Sequence, residues 1–333
     1  MNRRSFLKNI SFAFGGLALS SNTACTAFQN KELKFGLSTD IHKDIMNDAN
    51  QRLEAFITHA RHQNVDFIID LGDFCHPTEE NKGFVDIWNS WSGAKFNVLG
   101  NHDMDKGTKQ DFMDFVGMKE KYYSFDQGDF HFVVLDPNTL KIDGEYIPYE
   151  HANFYKPQEQ RAYIDPQQLE WLEQDLQSTN KHCIIFSHQS FENPASCKNQ
   201  KQVRELFEKE NRRAGFHKVA AAFSGHDHSD YSKEISGIHY VQMNSMSYSW
   251  VGDKYKCPER FPEEVNEAYP LMKYTLPYKE PLYAVVTIKD GHIGIKGVDG
   301  TFIEPGPEDV GLSEGTANGL PLAAKISDRT LSF

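Results

Sequence analysis

Several signatures of common protein classes are absent from this 333-residue chain. It has no Cys-x-x-Cys pair, so nothing indicates a thiolate zinc site. It also lacks His-Glu-x-x-His, the zinc motif of many peptidases, and it has no internal repeat or low-complexity block. Positive charge is scarce, since 35 Lys and Arg stand against 47 Asp and Glu, a net charge of −12. We therefore expect no nucleic-acid duplex as a partner.

The N-terminus lacks an apolar stretch long enough to cross a membrane. Residues 10–19 form a short apolar core behind Arg3 and Arg4, which is typical of a cleaved export signal. The stretch Asn-Arg-Arg-Ser-Phe-Leu-Lys resembles a twin-arginine signal, and an ordinary secretory signal is the alternative. Cys25 follows Asn-Thr-Ala, a loose likeness to a lipoprotein cleavage site. We expect an exported protein that is periplasmic or anchored to the membrane through a lipid on Cys25, with no other membrane contact.

Cysteine is scarce, with five residues in the whole chain. If Cys25 is removed or lipidated, four remain, and four cysteines can pair in three ways in an oxidising compartment. These four are Cys75, Cys183, Cys197 and Cys257. Cys183 lies within an apolar strand and is expected to be a buried thiol.

The chain is 39% hydrophobic, enough for a sizeable core, and its pattern alternates between strands and helices after residue 30. Buried strands are predicted over 33–39, 65–71, 95–100, 183–188 and 218–223. Helices are predicted over 48–63, 84–91, 165–178 and 199–211. Hairpins with glycine-containing turns are predicted over 122–136, 231–244 and 282–298. This alternation predicts an α/β fold.

Two long stretches, 137–164 and 250–279, show no clear periodicity. Long loops in a compact domain are usually functional, and we expect 137–164 and 244–257 to cover a cleft. The chain is divided into an export signal and linker over 1–30, one α/β domain over 31–305, and an irregular C-terminal tail over 306–333.

Polar side chains that can bind metals follow apolar strands at five places. They are Asp40 and His42, then Asp73, then Asn101 with His102 and Asp103, then His188, and finally His226 and His228. Ligand sites of open α/β sheets lie outside the carboxyl ends of the strands. If these strands are parallel neighbours, all five clusters meet at one edge of the sheet.

The number of donors predicts two metal ions rather than one. Three oxygen ligands and four imidazoles exceed the coordination of a single ion, and a carboxylate can bridge a pair of cations. Mixed nitrogen and oxygen ligands favour Mn, Fe, Zn or Co over Mg or Ca. Gly72, Gly100 and Gly225 are expected where the chain turns sharply beside the site. Each motif alone is more often a turn or a packed histidine, but five in this order are hard to attribute to chance.

The series Asp-x-His, Gly-Asp, Gly-Asn-His-Asp, a single His and Gly-His-x-His resembles that of the calcineurin-like metallophosphoesterases, over about residues 33–300. The resemblance implies a four-layer α/β/β/α sandwich with a dinuclear metal site. It implies that one metal is held by Asp40, His42 and His228, and the other by Asn101, His188 and His226. Asp73 would bridge the two metals, and His102 would face the leaving group without binding metal.

The expected chemistry is hydrolysis of a phosphate ester. A water between two cations loses a proton near neutral pH, and the resulting hydroxide attacks phosphorus directly. His102 steadies the leaving oxygen and can donate a proton to it. Protein phosphatases of the family place an Asp and an Arg after Gly-Asp, and that Asp orients the catalytic His. Here His76 takes the place of the Asp, so what orients His102 is open.

Further residues are candidates for substrate contact or for support of the ligands. His76 is a possible extra ligand, phosphate contact or surface residue, and a contact near the site is favoured. Asp103 and Asp227 stand beside predicted ligands. Tyr231, Tyr248 and Trp250 could stack on a base or sugar ring, and packing in the core is the alternative.

We expect a small phosphorylated substrate, either a monoester or a diester. The alternatives are a phosphodiesterase restricted to cyclic or other nucleotides, and a non-catalytic exported protein that binds a ligand on the same fold. A peptidase or amidase is disfavoured, because an Asn ligand next to a His outside the metal shell suits phosphoryl chemistry better. The sequence does not indicate an oligomeric state.

Overall fold

The computed structural model describes residues 32–333. The predicted export signal, its arginine pair and Cys25 lie outside these residues. Within them, no helix combines the length and the apolar character needed to span a membrane.

The described residues alternate between strands and helices. In chain order the strands are β1 (Leu33–Ser38), β2 (Phe67–Asp70), β3 (Ala94–Asn97), β4 (Tyr123–Gln127), β5 (Phe130–Leu135), β6 (Thr139–Ile142), β7 (Glu145–Pro148), β8 (His182–Ser187), β9 (Val219–Ser224), β10 (Tyr231–Ile235), β11 (Ile238–Gln242), β12 (Tyr248–Trp250), β13 (Thr275–Pro277), β14 (Ala284–Lys289), β15 (His292–Gly297), β16 (Thr316–Ala317), β17 (Leu320–Pro321) and β18 (Arg329–Ser332). The helices are α1 (Ala49–His62), α2 (Lys82–Asn89), α3 (Lys109–Val116), α4 (Pro166–Ser178), α5 (Gln200–Ala214) and α6 (Glu263–Ala268).

Two six-stranded sheets form the centre of the fold. The first sheet has the order β18-β15-β14-β1-β2-β3, with β1, β2 and β3 parallel. The second sheet has the order β10-β11-β9-β8-β5-β4, with β5, β8, β9 and β11 parallel. The strands that carry the predicted ligands are therefore parallel neighbours within each sheet, but they are divided between two sheets rather than lying in one.

The two sheets pack face to face around a cluster of aromatic rings. Phe35 of β1 lies at its centre, with ring centroids 4.9 Å from Phe67, 5.9 Å from Phe132, 5.8 Å from Phe186 and 6.4 Å from Phe223. Alternate residues of the strands face outward, where α1 to α3 cover the first sheet and α4 with α5 covers the second. The fold is thus a four-layer α/β/β/α sandwich, which confirms the predicted fold class.

Local signals explain where several helices begin and end. Asp165 precedes α4 and accepts a hydrogen bond from the backbone amide of Gln168, while Pro166 occupies the first helical position. Thr108 and Asp111 form a capping box at the start of α3, a helix absent from the sequence-based assignment. Gly215 ends α5 in the left-handed conformation.

Two segments differ from the sequence-based expectations. The stretch 137–164 contains the hairpin β6–β7, which turns at Asp143 and Gly144. The tail predicted to be irregular over 306–333 contains the short hairpin β16–β17. The tail also ends in β18, which pairs with β15 at the edge of the first sheet. The sequence did not predict β18, because its composition is polar. An edge strand can be polar on the side that faces solvent.

The four cysteines of the described residues are unpaired and buried. Cys183 lies in β8, where burial raises the pKa of its thiol to about 12. None of the three pairings that the sequence allows is formed in this part of the chain.

Candidate metal centre

The predicted ligands lie in the loops that follow the carboxyl ends of five strands. Asp40 and His42 follow β1, Asp73 follows β2 and Asn101 follows β3, all in the first sheet. His188 follows β8, and His226 and His228 follow β9, in the second sheet. Because these ends open on the same side of the sandwich, the seven side chains converge from both sheets.

One group of ligand atoms combines Asp40, His42 and His228. The Nε2 atoms of His42 and His228 are 3.1 Å apart. Oδ1 of Asp40 is 3.1 Å from Nε2 of His228 and 3.7 Å from Nε2 of His42. One carboxylate and two imidazole nitrogens therefore face a common point.

A second group combines Asp73, His188 and His226. Oδ2 of Asp73 is 3.1 Å from Nε2 of His188. Asn101 lines a cavity with His226, and its Oδ1 accepts a hydrogen bond from Gln189 Nε2 at 3.3 Å. The first group has the members of one predicted set, whereas the second shares His188 and His226 with the other predicted set and has Asp73 in the place of Asn101.

Asp73 lies between the two groups. Its Oδ2 is 3.6 Å from Nε2 of His42 in the first group, as well as 3.1 Å from Nε2 of His188 in the second. Its other oxygen, Oδ1, accepts a hydrogen bond from the backbone amide of His102 at 2.7 Å. One oxygen of Asp73 is thus held by the backbone, and the other faces both groups.

The imidazoles are oriented by carbonyl groups behind them. Nδ1 of His188 is 2.9 Å from the carbonyl oxygen of Leu71, and Nδ1 of His228 is 2.8 Å from that of Tyr248. A carbonyl can only accept, so both rings carry their proton on Nδ1 and direct Nε2 into the site. This arrangement is typical of histidines that bind metals.

The backbone at the site is strained. Five predicted ligands that are not glycine have positive φ angles: Asp40, His42, Asp73, His226 and His228, at 52°, 52°, 55°, 71° and 46°. Such angles are uncommon for residues with a Cβ atom, and they cluster at functional sites where the surrounding structure enforces them. The left-handed turns aim the side chains out of the strand direction and into the site.

Three glycines let the ligand loops approach one another. At Gly72 φ is 101°, and a Cβ atom would lie 2.5 Å from the backbone nitrogen of Gly100. A Cβ atom at Gly100 would collide with the backbone of Asp73, and one at Gly225 with the side chain of Asp40. Only Gly72 has the positive φ angle expected of a sharp turn, so close approach is the common reason for glycine here.

The donor set fits two transition-metal ions. When His188 is neutral and its proton is on Nδ1, its buried Nε2 and Oδ2 of Asp73 are two acceptors 3.1 Å apart, with no donor between them among the described residues. A buried imidazole nitrogen without a partner is costly unless it binds a ligand. Carboxylates and imidazoles at these positions could hold a pair of divalent cations of the Mn, Fe or Zn type.

Burial and charge shift the pKa values of the imidazoles in opposite directions. Burial lowers the pKa of His42 to about 3 and that of His226 to about 4. Burial also lowers the pKa of His188, but the carboxylates of Asp73 and Asp40 outweigh it and raise that pKa to about 10. Since metals bind neutral imidazole, cation binding at His188 has to release a proton.

His102 lies beside the two groups and is held by a carboxylate that the sequence analysis did not identify. Its Nδ1 is 2.7 Å from Oδ2 of Asp105. Burial lowers the pKa of His102, but Asp73 and Asp105 raise it to about 9, so the ring carries a proton at neutral pH. Asp105 therefore orients His102. The signal was present in Gly-Asn-His-Asp-Met-Asp, where one turn of helix separates the two residues.

His76 lies behind Asp105. Its Nε2 is 3.8 Å from Oδ2 of Asp105, and its Nδ1 is 3.2 Å from Oδ1 of Asp44. Burial lowers the pKa of His76, but the two carboxylates raise it to about 9. His76 lines the cavity but belongs to neither group of ligand atoms. Of the three roles left open, the structure favours a contact near the site.

Two further predicted residues act as supports. Asp103 is fully buried, and its oxygens accept hydrogen bonds from the backbone amides of Phe74 and Gly100 at 2.7 and 2.8 Å. It thereby joins the loops after β2 and β3. Asp227 lines the cavity, and its Oδ2 accepts from Asn193 Nδ2 at 2.8 Å.

The three aromatic candidates have different positions. Tyr231 is not among the residues that line the cavity, and its hydroxyl donates to Glu192 at 2.8 Å, which favours the packing alternative over stacking on a substrate. Tyr248 is buried, and its ring stacks on that of His42 at 5.0 Å. Only Trp250, which is 39% exposed in the cavity wall, is free to contact a substrate ring.

A cavity of about 1190 Å³ opens above the ligands. The two loops expected to cover a cleft both line it, through Phe154 and Trp250 among others. A third part of the wall is residues 317–322, the hairpin β16–β17, which the sequence analysis did not connect with the site. The Asn318-Gly319 pair at its turn is a recognisable hairpin signal.

Comparisons with known proteins agree with this geometry. A family model described as calcineurin-like phosphoesterase matches residues 33–230. The structure resembles a dimetal phosphatase from Danio rerio, with a TM-score of 0.56 and 16% identity over 81% of this chain and 98% of that one. It also resembles GAP50, the anchor in the inner membrane complex of Plasmodium, with a TM-score of 0.52 and 15% identity over 91% and 89%. No curated protein sequence matches the chain. At these identities the structural likeness concerns the fold alone.

Proposed function

Because the chain belongs to the calcineurin-like phosphoesterase family, we propose that it hydrolyses phosphate monoesters or diesters with a pair of metal ions. The observation that carries this proposal is the position of Asp73. One of its oxygens faces imidazoles of both ligand groups, and the other is held by the backbone amide of His102. A carboxylate that faces ligand atoms of both groups is suited to a dinuclear site.

The chain's own residues have separate roles in this reaction. Asp40, His42 and His228 would hold one cation, Asn101, His188 and His226 would hold the other, and Asp73 would serve both. Bound there, two cations would lower the pKa of a water molecule and would stabilise negative charge on the phosphoryl oxygens. Asp40, His42, Asp73, Asn101 and His188 are buried, whereas His226 and His228 are partly exposed and face the cavity.

His102 is suited to act on the leaving oxygen. Oδ2 of Asp105 fixes its Nδ1, and its Nε2 has no hydrogen-bond partner among residues 32–333. The carboxylate of Asp105 also favours the protonated ring, because it raises the pKa of His102. A protonated imidazole in this position can donate a hydrogen bond or a proton to developing negative charge. Asp105 is a positioning residue, because it acts through His102.

The cavity wall favours a substrate with an apolar part. Phe154, Trp250 and Leu271 line the cavity and are 51%, 39% and 45% exposed. Phe154 lies next to His102, with ring centroids 6.3 Å apart. The leaving group therefore has a ring or an alkyl segment that can contact Phe154.

The proposal is tested by measuring metal content and turnover of the purified full chain. We expect about two Mn, Fe or Zn ions per chain, and hydrolysis of some members of a panel of aryl phosphates, aryl diesters and cyclic nucleotides. Turnover of none of these by the metal-loaded protein would contradict the proposal and favour the non-catalytic, ligand-binding alternative.

Two variants separate metal binding from the chemistry. Asp73→Asn should abolish turnover and loosen both metals, because Asp73 serves both groups. His102→Ala should retain both metals and lose activity, with a greater loss for poorer leaving groups, typically 10²–10⁴-fold for general acid catalysis. Loss of the metals from the His102 variant would contradict the role assigned to that residue.

We further propose that the protein is exported. The support is the N-terminal sequence, in which Arg3 and Arg4 precede a short apolar core and Cys25 follows. The enzyme would then act in the periplasm, either soluble or attached by a lipid.

A further inference from the structure

A second, smaller cavity of about 230 Å³ adjoins the first. Asn101, His102 and His226 form its wall towards the metal centre. Arg161 and Lys198 line it from the other side, and Arg161 also lines the main cavity. We call this smaller space the side cavity.

The guanidinium group of Arg161 has hydrogen-bond donors that are not used by the protein residues around the side cavity. Its Nη1 donates to the carbonyl oxygen of Phe154 at 2.6 Å. Its Nε is buried and has no hydrogen-bond partner among the described residues. A buried guanidinium donor without an acceptor is unfavourable, so the site suits a ligand that accepts.

Lys198 brings a second positive charge to the same place. Its Nζ donates to the carbonyl oxygen of Ala195 at 2.5 Å, and burial together with the charge of Arg161 lowers its pKa. Within residues 32–333, neither Arg161 nor Lys198 forms an ion pair with a carboxylate. The carboxylates of Glu159 and Asp227 act on Lys198 from beyond ion-pair distance, and they raise its pKa less than burial and Arg161 lower it.

Tyr149 adds a neutral donor. It is 3% exposed and lines the side cavity. Its hydroxyl lies beside the guanidinium group of Arg161, but no group among the described residues meets it with hydrogen-bond geometry. The hydroxyl of Tyr149, Nε of Arg161 and the ammonium group of Lys198 are all donors, and together they match the oxygens of an anion.

On the premise of the phosphoesterase function, we propose that the side cavity binds a second anionic group of the substrate, a carboxylate or a further phosphate. That group belongs to the leaving part of the substrate. The reason is position, because the side cavity opens next to His102, the residue that faces the leaving oxygen. The preferred substrates are therefore phosphate esters that carry two anionic groups.

The test compares substrates that differ in charge but hardly in size. We would measure kcat/KM of the metal-loaded full chain for 3- and 4-carboxyphenyl phosphate, each against its carbamoyl analogue. A charge-assisted hydrogen bond contributes about 1.5–3 kcal/mol, so we expect the carboxylate to be preferred by about tenfold or more for at least one isomer.

Variants locate the preference. The ratio of kcat/KM for carboxylate over carbamoyl substrate should fall towards one in Arg161→Gln and in Lys198→Gln. The control Lys156→Gln removes the same charge from the neighbouring segment, where Lys156 packs over Tyr155 outside both cavities, and it should keep the ratio. Lys198→Gln serves as the second variant because Arg161 also holds the loop at Phe154.

The outcomes separate the two proposals. If no phosphate ester of either kind is hydrolysed, the phosphoesterase function is wrong. If both kinds are hydrolysed with equal kcat/KM by the unaltered protein, only the anion site is wrong. It is equally wrong if Arg161→Gln and Lys198→Gln lower kcat/KM for both substrates by the same factor, since that would indicate a general effect on folding or loop position.

Discussion

Gly72→Ala should disable the metal centre without removing any ligand. Gly72 immediately precedes Asp73, and its φ angle of 101° is one that residues with a Cβ atom rarely adopt. An added Cβ atom would lie 2.5 Å from the backbone nitrogen of Gly100, 2.7 Å from its Cα atom and 3.0 Å from Nδ1 of His188. The methyl group therefore strains the backbone at Asp73 and displaces two neighbouring loops.

The expected loss of activity can be estimated from these distances. Relief of the contact with the Gly100 nitrogen, from 2.5 Å to the 3.4 Å at which ordinary van der Waals contact begins, needs a shift of about 0.9 Å. The obstacle is backbone rather than a flexible side-chain end, so the loop that carries Asp73 has to move. A misplacement of about 1 Å costs roughly 100-fold in rate. We expect a loss of about that size in kcat/KM.

The measurement pairs kinetics with metal analysis. Activity on an aryl phosphate and the number of bound metals are determined for Gly72→Ala, together with the melting temperature. Gly83→Ala is the matched control, because Gly83 lies within α2 and an added Cβ atom would meet nothing within 4 Å. The control should leave activity unchanged and stabilise the protein by about 0.5–1 kcal/mol. Full activity and full metal content in a folded Gly72→Ala would refute the reasoning.

Three other predictions follow from the same geometry and sequence. Asp105→Asn should keep both metals, because it alters only the partner of His102. It should change the pH dependence of kcat and have a smaller effect on KM. An unchanged pH profile of kcat would contradict this role. His131 lies between Asp126 and Asp175, at 2.7 and 2.9 Å, and although burial opposes it, these carboxylates raise its pKa. The stability from this pairing is present below about pH 6.5 and is lost as pH rises through the folded-state pKa. His131→Gln should therefore lower the urea midpoint more at pH 5 than at pH 9. At pH 5 the loss in the free energy of unfolding should be about 1.5–3 kcal/mol. Equal losses of stability at the two pH values would contradict the role of this pairing. Replacing Arg3 and Arg4 by Lys should retain the protein in the cytoplasm if the twin-arginine route is used, as cell fractionation would reveal.

The sequence predicted those parts of the site that depend on neighbouring residues in the chain. Each predicted ligand follows an apolar strand directly, so its place at a carboxyl end needs no knowledge of distant contacts. The division of the strands between two sheets could not be derived from strand pattern alone, because β3 and β8 are separated by 84 residues that contain two hairpins and two α-helices. The resemblance to the metallophosphoesterase family predicted the two sheets, which the periodicity of the strands could not.

The misses have two causes. The turns at Asp143-Gly144 and Asn318-Gly319 were local signals that went unused, and each marks a hairpin in the structure. Asp105, one helical turn after His102, was a further local signal of this kind. Tyr231 is different, because its contact depends on where the side chain points after packing. Tyr231 reaches Glu192, 39 residues away in the chain, and no periodicity in the sequence could indicate that contact.

The division of the ligands between the two sheets has a consequence for the stability and abundance of the protein. Each group combines residues that follow strands of both sheets, so a bound cation would link the two sheets. A ligand that binds only the folded state, at a thousandfold excess over its dissociation constant, adds about 4 kcal/mol of stability. Chelators should therefore promote unfolding and proteolysis as well as stop turnover. A cell short of transition metals would then hold less of this protein, and abundance would follow nutrient supply without any change in transcription.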